Sequence, residues 1–236
     1  MIKVLLEKPF INQLILIFVI TLILLAFYKL AGFAVSGGTP EIDQYIILAF
    51  RHANDLSDPI GPKWVEEMMR DITALGGVAI LASFTFFVTV FLLIENKPKL
   101  AMALVLTIAS GMLVSFSLKY GITRPRPDLV PHGSYVYTAS FPSGHAMLSA
   151  LVYFSLAGML SYLPVRKRVK TYFFIVAAIF TLAIGVSRVY LGVHWPTDVL
   201  AGWLMGIGWA LITLLIVRFL KMKGVFASKK PVIPNN

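Results

Sequence analysis

Stretches almost free of charge divide the chain into six runs, at residues 10–33, 73–94, 100–118, 143–163, 171–187 and 197–217. A helix needs about 20 residues to cross a hydrocarbon core of about 30 Å, and each run meets or approaches that length. The pattern predicts an all-α polytopic membrane protein with six transmembrane helices. The 171–187 run is the shortest, and it becomes comfortable if the helix continues through Val189, Tyr190 and Leu191. Lys3 and Lys8 ahead of the first run also suit a secretory signal peptide. The run exceeds the usual apolar core of about 7–15 residues, and Leu30 to Ala34 makes a weak cleavage site, so a retained helix is favoured.

Residues 36–71, between the first two runs, open with Ser-Gly-Gly-Thr-Pro, a linker composition. The apolar positions from Glu41 to Phe50 suit one face of a short helix lying on the membrane surface. A second short helix is expected after Pro62, where Trp64, Val65, Met68 and Met69 keep helical spacing. Glu66, Glu67 and Asp71 are assigned to its solvated face. With no internal repeat and no soluble domain, residues 1–236 read as one membrane-embedded domain.

Composition agrees with the pattern. Hydrophobic residues make up 58% of the chain and charged residues only 14%, where soluble domains carry about a quarter. The absence of cysteine removes disulfides, thiol nucleophiles and thiolate metal sites. The net charge of +10 is spread over short loops and tails, which points to bilayer headgroups and topology, and no nucleic-acid partner is expected. Thirteen Lys and Arg residues fall on one side of the alternating spans. Seven fall on the other: Arg51, Lys63, Arg70, Lys119, Arg124, Arg126 and Arg188. The richer side is cytoplasmic. Both termini then lie inside a cytoplasmic membrane, 218–236 is a basic cytoplasmic tail, and 36–71 is an extracytoplasmic loop.

The same alternation brings the C-terminal ends of spans three and five and the N-terminal ends of spans four and six to the outer face. Those ends hold nearly all the unusual polar residues, and polar groups in a membrane are functional candidates by default. Pro142-Ser143 and Pro196 are helix-start signals, with Ser143 as the N-cap. Two helix N-termini would therefore aim backbone N–H groups at one place. Lys119, Arg126 and Arg188 add three positive charges, and arginine can pair two phosphate oxygens at once. Asp128 and Asp198 are the only nearby acids, too few for a magnesium site, so phosphate bound without a metal or cofactor is the better fit. His194 can attack phosphorus to give a phosphohistidine. Asp198, four residues on, can accept a hydrogen bond from its other ring nitrogen and fix the tautomer. His145 can protonate the leaving oxygen and later activate water.

Lys119-x6-Arg126-Pro127, Pro142-Ser143-Gly144-His145 and Ser187-Arg188-x5-His194-x3-Asp198 resemble the three signature motifs of the type 2 phosphatidic acid phosphatase superfamily. All three are complete and in order, and the six-span layout resembles the bacterial membrane lipid phosphatase branch. The resemblance implies that His194 is the nucleophile, Asp198 its partner and His145 the general acid. It implies that Lys119, Arg126, Ser143, Gly144 and Arg188 hold phosphate. Substrates implied for the branch are phosphatidylglycerol phosphate, phosphatidic acid, undecaprenyl diphosphate and lipid A phosphates, with no obligate protein partner evident. A lipid phosphotransferase using the same site and a non-catalytic anionic-lipid transporter are the competing readings. The six spans set a haloperoxidase aside.

Other features carry blander assignments. Arg124 is not a defining position, and it reads either as a ligand for a second phosphate or as an anchor facing anionic headgroups. His52 and His132 read as structural or solvated. Gly202-x3-Gly206 matches a close-packing pattern that serves contacts within a monomer or between two. Trp195, Trp203 and Trp209 read as packing or interfacial residues.

Overall fold

A computed structural model describes residues 8–38 and 40–223. Lys3, Thr39 and the basic tail beyond Lys223 lie outside the described residues. Helix α1 (Lys8–Val35) leads to α2 (Glu41–Ala49), a hairpin of β1 (Arg51–His52) and β2 (Asp55–Pro59), then α3 (Lys63–Ala74) and α4 (Val78–Ile94). The chain continues through α5 (Pro98–Gly121), α6 (Gly144–Leu160), α7 (Lys167–Tyr190) and α8 (Pro196–Met222). Helices occupy the six apolar runs, the 73–94 run being divided between the end of α3 and α4. By length and composition α1, α5, α7 and α8 can each cross a membrane, and α3 with α4 can do so as one span bent by 50°. This is a multi-pass membrane protein. Large apolar side chains such as Phe18, Leu25, Phe86, Phe87, Leu106 and Leu113 point outward from these helices, as a hydrocarbon solvent permits.

The helix after Pro62 is present as the spacing predicts, and it meets α4 at a bend of 50°. The break falls at Leu75-Gly76-Gly77, where a Cβ on Gly76 would press on Ile184 and His145. The hairpin at residues 51–59 was not expected, since Asp55-Leu-Ser-Asp-Pro59 has no apolar alternation. It matters because Arg51 is buried and donates from Nη2 to the Tyr190 carbonyl at 2.9 Å. A cation there satisfies one of the orphan carbonyls at the end of α7. The chain then turns at Gly192, whose φ of 69° is a left-handed conformation that favours glycine.

Helix α6 is 17 residues long and forms the centre, packing on α8, α7, α5 and α4. Its most extensive contact is with α8, which approaches closely through Gly202 and Gly206. A Cβ on Gly202 would lie 2.7 Å from the Ser143 carbonyl oxygen, and one on Gly206 would collide with that of Met147. The close-packing pattern thus works inside the monomer. Three of the four tryptophans also pack internally: Trp203 donates to the Thr181 carbonyl, Trp209 to Ser110 and Trp195 to the Pro125 carbonyl.

Gly206→Ala should force α8 away from α6. It is expected to lower stability by about 1–3 kcal/mol, as overpacking does, read as a lower midpoint of thermal unfolding in detergent.

Candidate active site

Four helix ends meet above α6. The Ser143 amide donates to the Asp198 carbonyl at 3.0 Å, which ties the start of α6 to the start of α8. The Gly133 amide donates to the Leu191 carbonyl at 2.9 Å, fastening the loop after α5 to the end of α7. Residues far apart in sequence are therefore brought to one place, a chamber whose inner wall is buried.

His194 stands in the turn between α7 and α8 and is 2% exposed. Its Nδ1 is 3.7 Å from Asp198 Oδ2, too far for a hydrogen bond. Ser140 fills the gap. Its hydroxyl donates to Asp198 Oδ2 at 2.5 Å and lies 3.4 Å from His194 Nδ1. Because the single hydroxyl proton goes to the carboxylate, Nδ1 carries the ring proton and Nε2 the lone pair. Ring and carboxylate therefore face each other as the spacing predicts, with the Ser140 hydroxyl set between them. Nε2 faces Arg126, whose Nη1 is 3.2 Å away.

Burial pushes the His194 imidazole down to about 3, aided by the charges of Arg188 and Arg126 and opposed by Asp198. The ring is therefore neutral and nucleophilic at physiological pH. Burial also lowers the Arg126 guanidinium, while Asp198 raises it; arginine stays charged regardless.

The cations are held by carbonyl and hydroxyl oxygens. Lys119 Nζ donates to Thr138 Oγ1 at 3.2 Å and to the Ala139 carbonyl at 3.1 Å. Arg126 donates from Nε to the Thr138 carbonyl at 2.9 Å and from Nη1 to the Val193 carbonyl at 2.6 Å. Arg188 is buried, with Nη1 on Thr73 Oγ1 at 3.0 Å and Nε without a partner. Ser143 occupies the N-cap position of α6, but its hydroxyl caps nothing and is likewise buried without a partner. Buried donors of this kind are normally satisfied, and an anion between them would do so. Gly144 leaves room for the Lys119 stem, which a Cβ would meet at 3.1 Å.

His145, the second residue of α6, lines a cavity of about 840 Å³ together with Arg70, Thr73, His132 and Tyr135. Arg70 pairs with Glu66 and donates to the Gly133 carbonyl at 3.2 Å, so Glu66 is engaged and not simply solvated. His132 bonds the Pro127 carbonyl at 2.8 Å. His52 is exposed, 3.8 Å from Asp58.

Arg124 answers to neither of its sequence readings. It is 3% exposed and points inward, pairing with Asp198 at 2.6 Å and Asp43 at 3.1 Å. A guanidinium spent on two carboxylates is not free for a second phosphate or a headgroup. Asp43, Thr73, Thr138 and Ser140 were also missed. For Asp43 there was a signal: it stands four residues before Ile47 on the face of α2 that is buried, where an acid needs a partner.

The PAP2 superfamily profile matches residues 100–222. The chain belongs to the PAP2 superfamily. Among its PAP2 relatives, phosphatidylglycerophosphatase B of Bacillus subtilis is 36% identical over 147 residues, 61% of this chain and 71% of that protein. The undecaprenyl-diphosphatase of Sulfolobus acidocaldarius is 31% identical over 125 residues, 50% of this chain and 56% of that protein. The crystal structure of a transmembrane PAP2 type phosphatidylglycerolphosphate phosphatase from Bacillus subtilis superposes with a TM-score of 0.73 at 30% identity. That match covers 86% of this chain and 96% of that one.

Two measurements test the chamber. Orthovanadate should raise the thermal midpoint of the protein, and Arg188→Gln should weaken vanadate binding about 10- to 100-fold, the loss expected for a charged hydrogen bond. Between about 6.5 and about 3 the unfolded chain takes up a proton at position 194 that the folded imidazole refuses. Acidification through that window therefore favours unfolding, and His194→Asn should flatten the fall in thermal midpoint between pH 7 and pH 4.

Proposed function

We propose that this PAP2 protein is a membrane phosphatase that removes a terminal phosphate from a lipid phosphate or diphosphate through a phosphohistidine at His194. The observation that carries this reading is His194 Nε2 facing Arg126, in a chamber with unpartnered buried donors on Ser143 and Arg188. A phosphoryl group placed among Lys119, Arg126, Arg188, Ser143 and the Gly144 end of α6 would have its oxygens neutralised, with phosphorus in line with Nε2.

The reaction then divides into two steps. The Nε2 lone pair forms a P–N bond as the P–O bond to the lipid breaks, and protonated His145 gives its proton to the leaving oxygen. Asp198, through Ser140, stabilises the positive ring that results. Water next attacks phosphorus, His145 takes its proton, the P–N bond breaks and inorganic phosphate leaves. Positioned cations and helix-end donors supply the electrostatic stabilisation that dominates such transfers. The nearest carboxylates, Asp43 and Asp198, are both paired with Arg124, so the donor set favours metal-independent chemistry.

The helices are read as six spans with both termini cytoplasmic and the chamber on the outer face, which follows from the excess of Lys and Arg at the opposite end. The lipid chain stays in the bilayer while the phosphate enters from the cavity beside His145. The names of the relatives support phosphatidylglycerol phosphate and undecaprenyl diphosphate as the first substrates to try.

The test is phosphate release from a panel of lipid phosphates by purified protein in EDTA. Full wild-type activity in EDTA is expected, with loss of about 10⁴-fold or more in His194→Ala, as for removal of a nucleophile. Abolition by EDTA would overturn the metal-free step, and unchanged turnover in His194→Ala would overturn the nucleophile.

A further inference from the structure

We propose that Asp43 and Arg124 are positioning residues that set the orientation and the net charge of Asp198 behind His194. The inference rests on the reading of His194 as the nucleophile. It is drawn from a buried ion network joining the surface helix α2 to the start of α8.

Arg124 donates from Nη1 to Asp198 Oδ1 at 2.6 Å and to Thr197 Oγ1 at 2.8 Å. From Nη2 it donates to Asp43 Oδ2 at 3.1 Å and to the Gly38 carbonyl at 3.2 Å. Asp43 closes the loop: its Oδ1 accepts the Thr197 amide at 2.9 Å and its Oδ2 the Thr197 hydroxyl at 2.5 Å. The Arg124 guanidinium lies over the Trp195 indole at 5.6 Å. Asp43 and Asp198 are both wholly buried.

Geometry and charge give this network a consequence for the reaction. Fixing Oδ1 on Arg124 leaves only Oδ2 turned toward the ring, where Ser140 and the Trp195 amide hold it at 2.5 and 3.0 Å. The carboxylate therefore cannot rotate away as the ring becomes cationic. Two carboxylates share one guanidinium, so the group carries one net negative charge facing His194. Without Asp43 that charge would be cancelled by Arg124, and the cationic phosphohistidine would lose its counter-charge. A buried ion network is weak evidence for stability; its placement against the proposed nucleophile gives it a catalytic reading.

The experiment measures the rate of phosphoenzyme formation from a radiolabelled lipid phosphate in the full chain, with binding followed by the thermal shift in orthovanadate. Asp43→Asn keeps the shape and removes the charge. It is expected to slow phosphoenzyme formation about 10- to 100-fold, the usual effect of an outer-layer partner, with KM and the vanadate shift close to wild type. Because Asp43 acts through Asp198, Asp43→Asn should add little to Asp198→Asn, which separates positioning from a general loss of fold. Wild-type kinetics in Asp43→Asn, a rise in KM alone, or losses that multiply in the double variant would overturn the proposal. Should Asp43→Asn not fold, Arg124→Lys decides. It keeps the charge balance but not the two-pronged grip, so a loss of at least about tenfold supports the proposal and a wild-type rate overturns it. Unchanged phosphoenzyme formation in His194→Ala would instead defeat the nucleophile assignment on which the inference stands.

Discussion

The amide of Ser143 and the carbonyl of Asp198, 3.0 Å apart, hold together the starts of the two helices that carry His145 and Asp198. Everything else in the chamber depends on that approach. It is possible because Gly202 and Gly206 present bare backbone to α6, so the axes come closer than ordinary side chains allow. Bringing two helix N-termini together puts two positive dipole ends side by side, which is unfavourable unless an anion, or the carboxylate of a network, lies between them. Asp198 meets part of that demand from within the chain. Ser143 and the arginines leave the remainder for a ligand.

Three cations crowd the same chamber, and none is paired with an acid at its working end. Lys119 and Arg126 rest on the Thr138 and Ala139 carbonyls, Arg126 also on that of Val193, and Arg188 on the Thr73 hydroxyl. Neutral oxygens satisfy hydrogen bonds without cancelling charge. The positive potential is therefore kept for an incoming phosphate. Arg124, paired with two carboxylates, lies behind the chamber. This separation of paired from unpaired guanidinium groups is how one short segment, Arg124-Pro-Arg126, serves two purposes.

Much of this was legible in the chain. Uncharged runs delimit helices because the bilayer forbids charge along a span, so α1, α5, α7 and α8 fall where the pattern puts them. The motif residues carry their chemistry in type and spacing, and Lys119, Arg126 and His194 come together around the Ala139 carbonyl. What stayed hidden depends on contacts between distant segments. Arg124 looked like any interfacial arginine, because its partner Asp43 is 81 residues away in sequence. Ser140 could not be recognised as a bridge, since nothing local fixes the 3.7 Å gap between ring and carboxylate. The break at Gly76-Gly77 was visible as a glycine pair, but the close approach of Ile184 and His145 that requires glycine at position 76 was not.

That break has a consequence for the cavity. Residues 100–222, the stretch that the PAP2 profile matches, bring His145, His132 and Tyr135 to it, whereas Arg70 and Thr73 arrive from α3, upstream of that stretch. The wall of the cavity is thus composite, built partly from the stretch that the family model matches and partly from α3 outside it. A change at position 70 can alter what the cavity admits while every motif residue stays as it is.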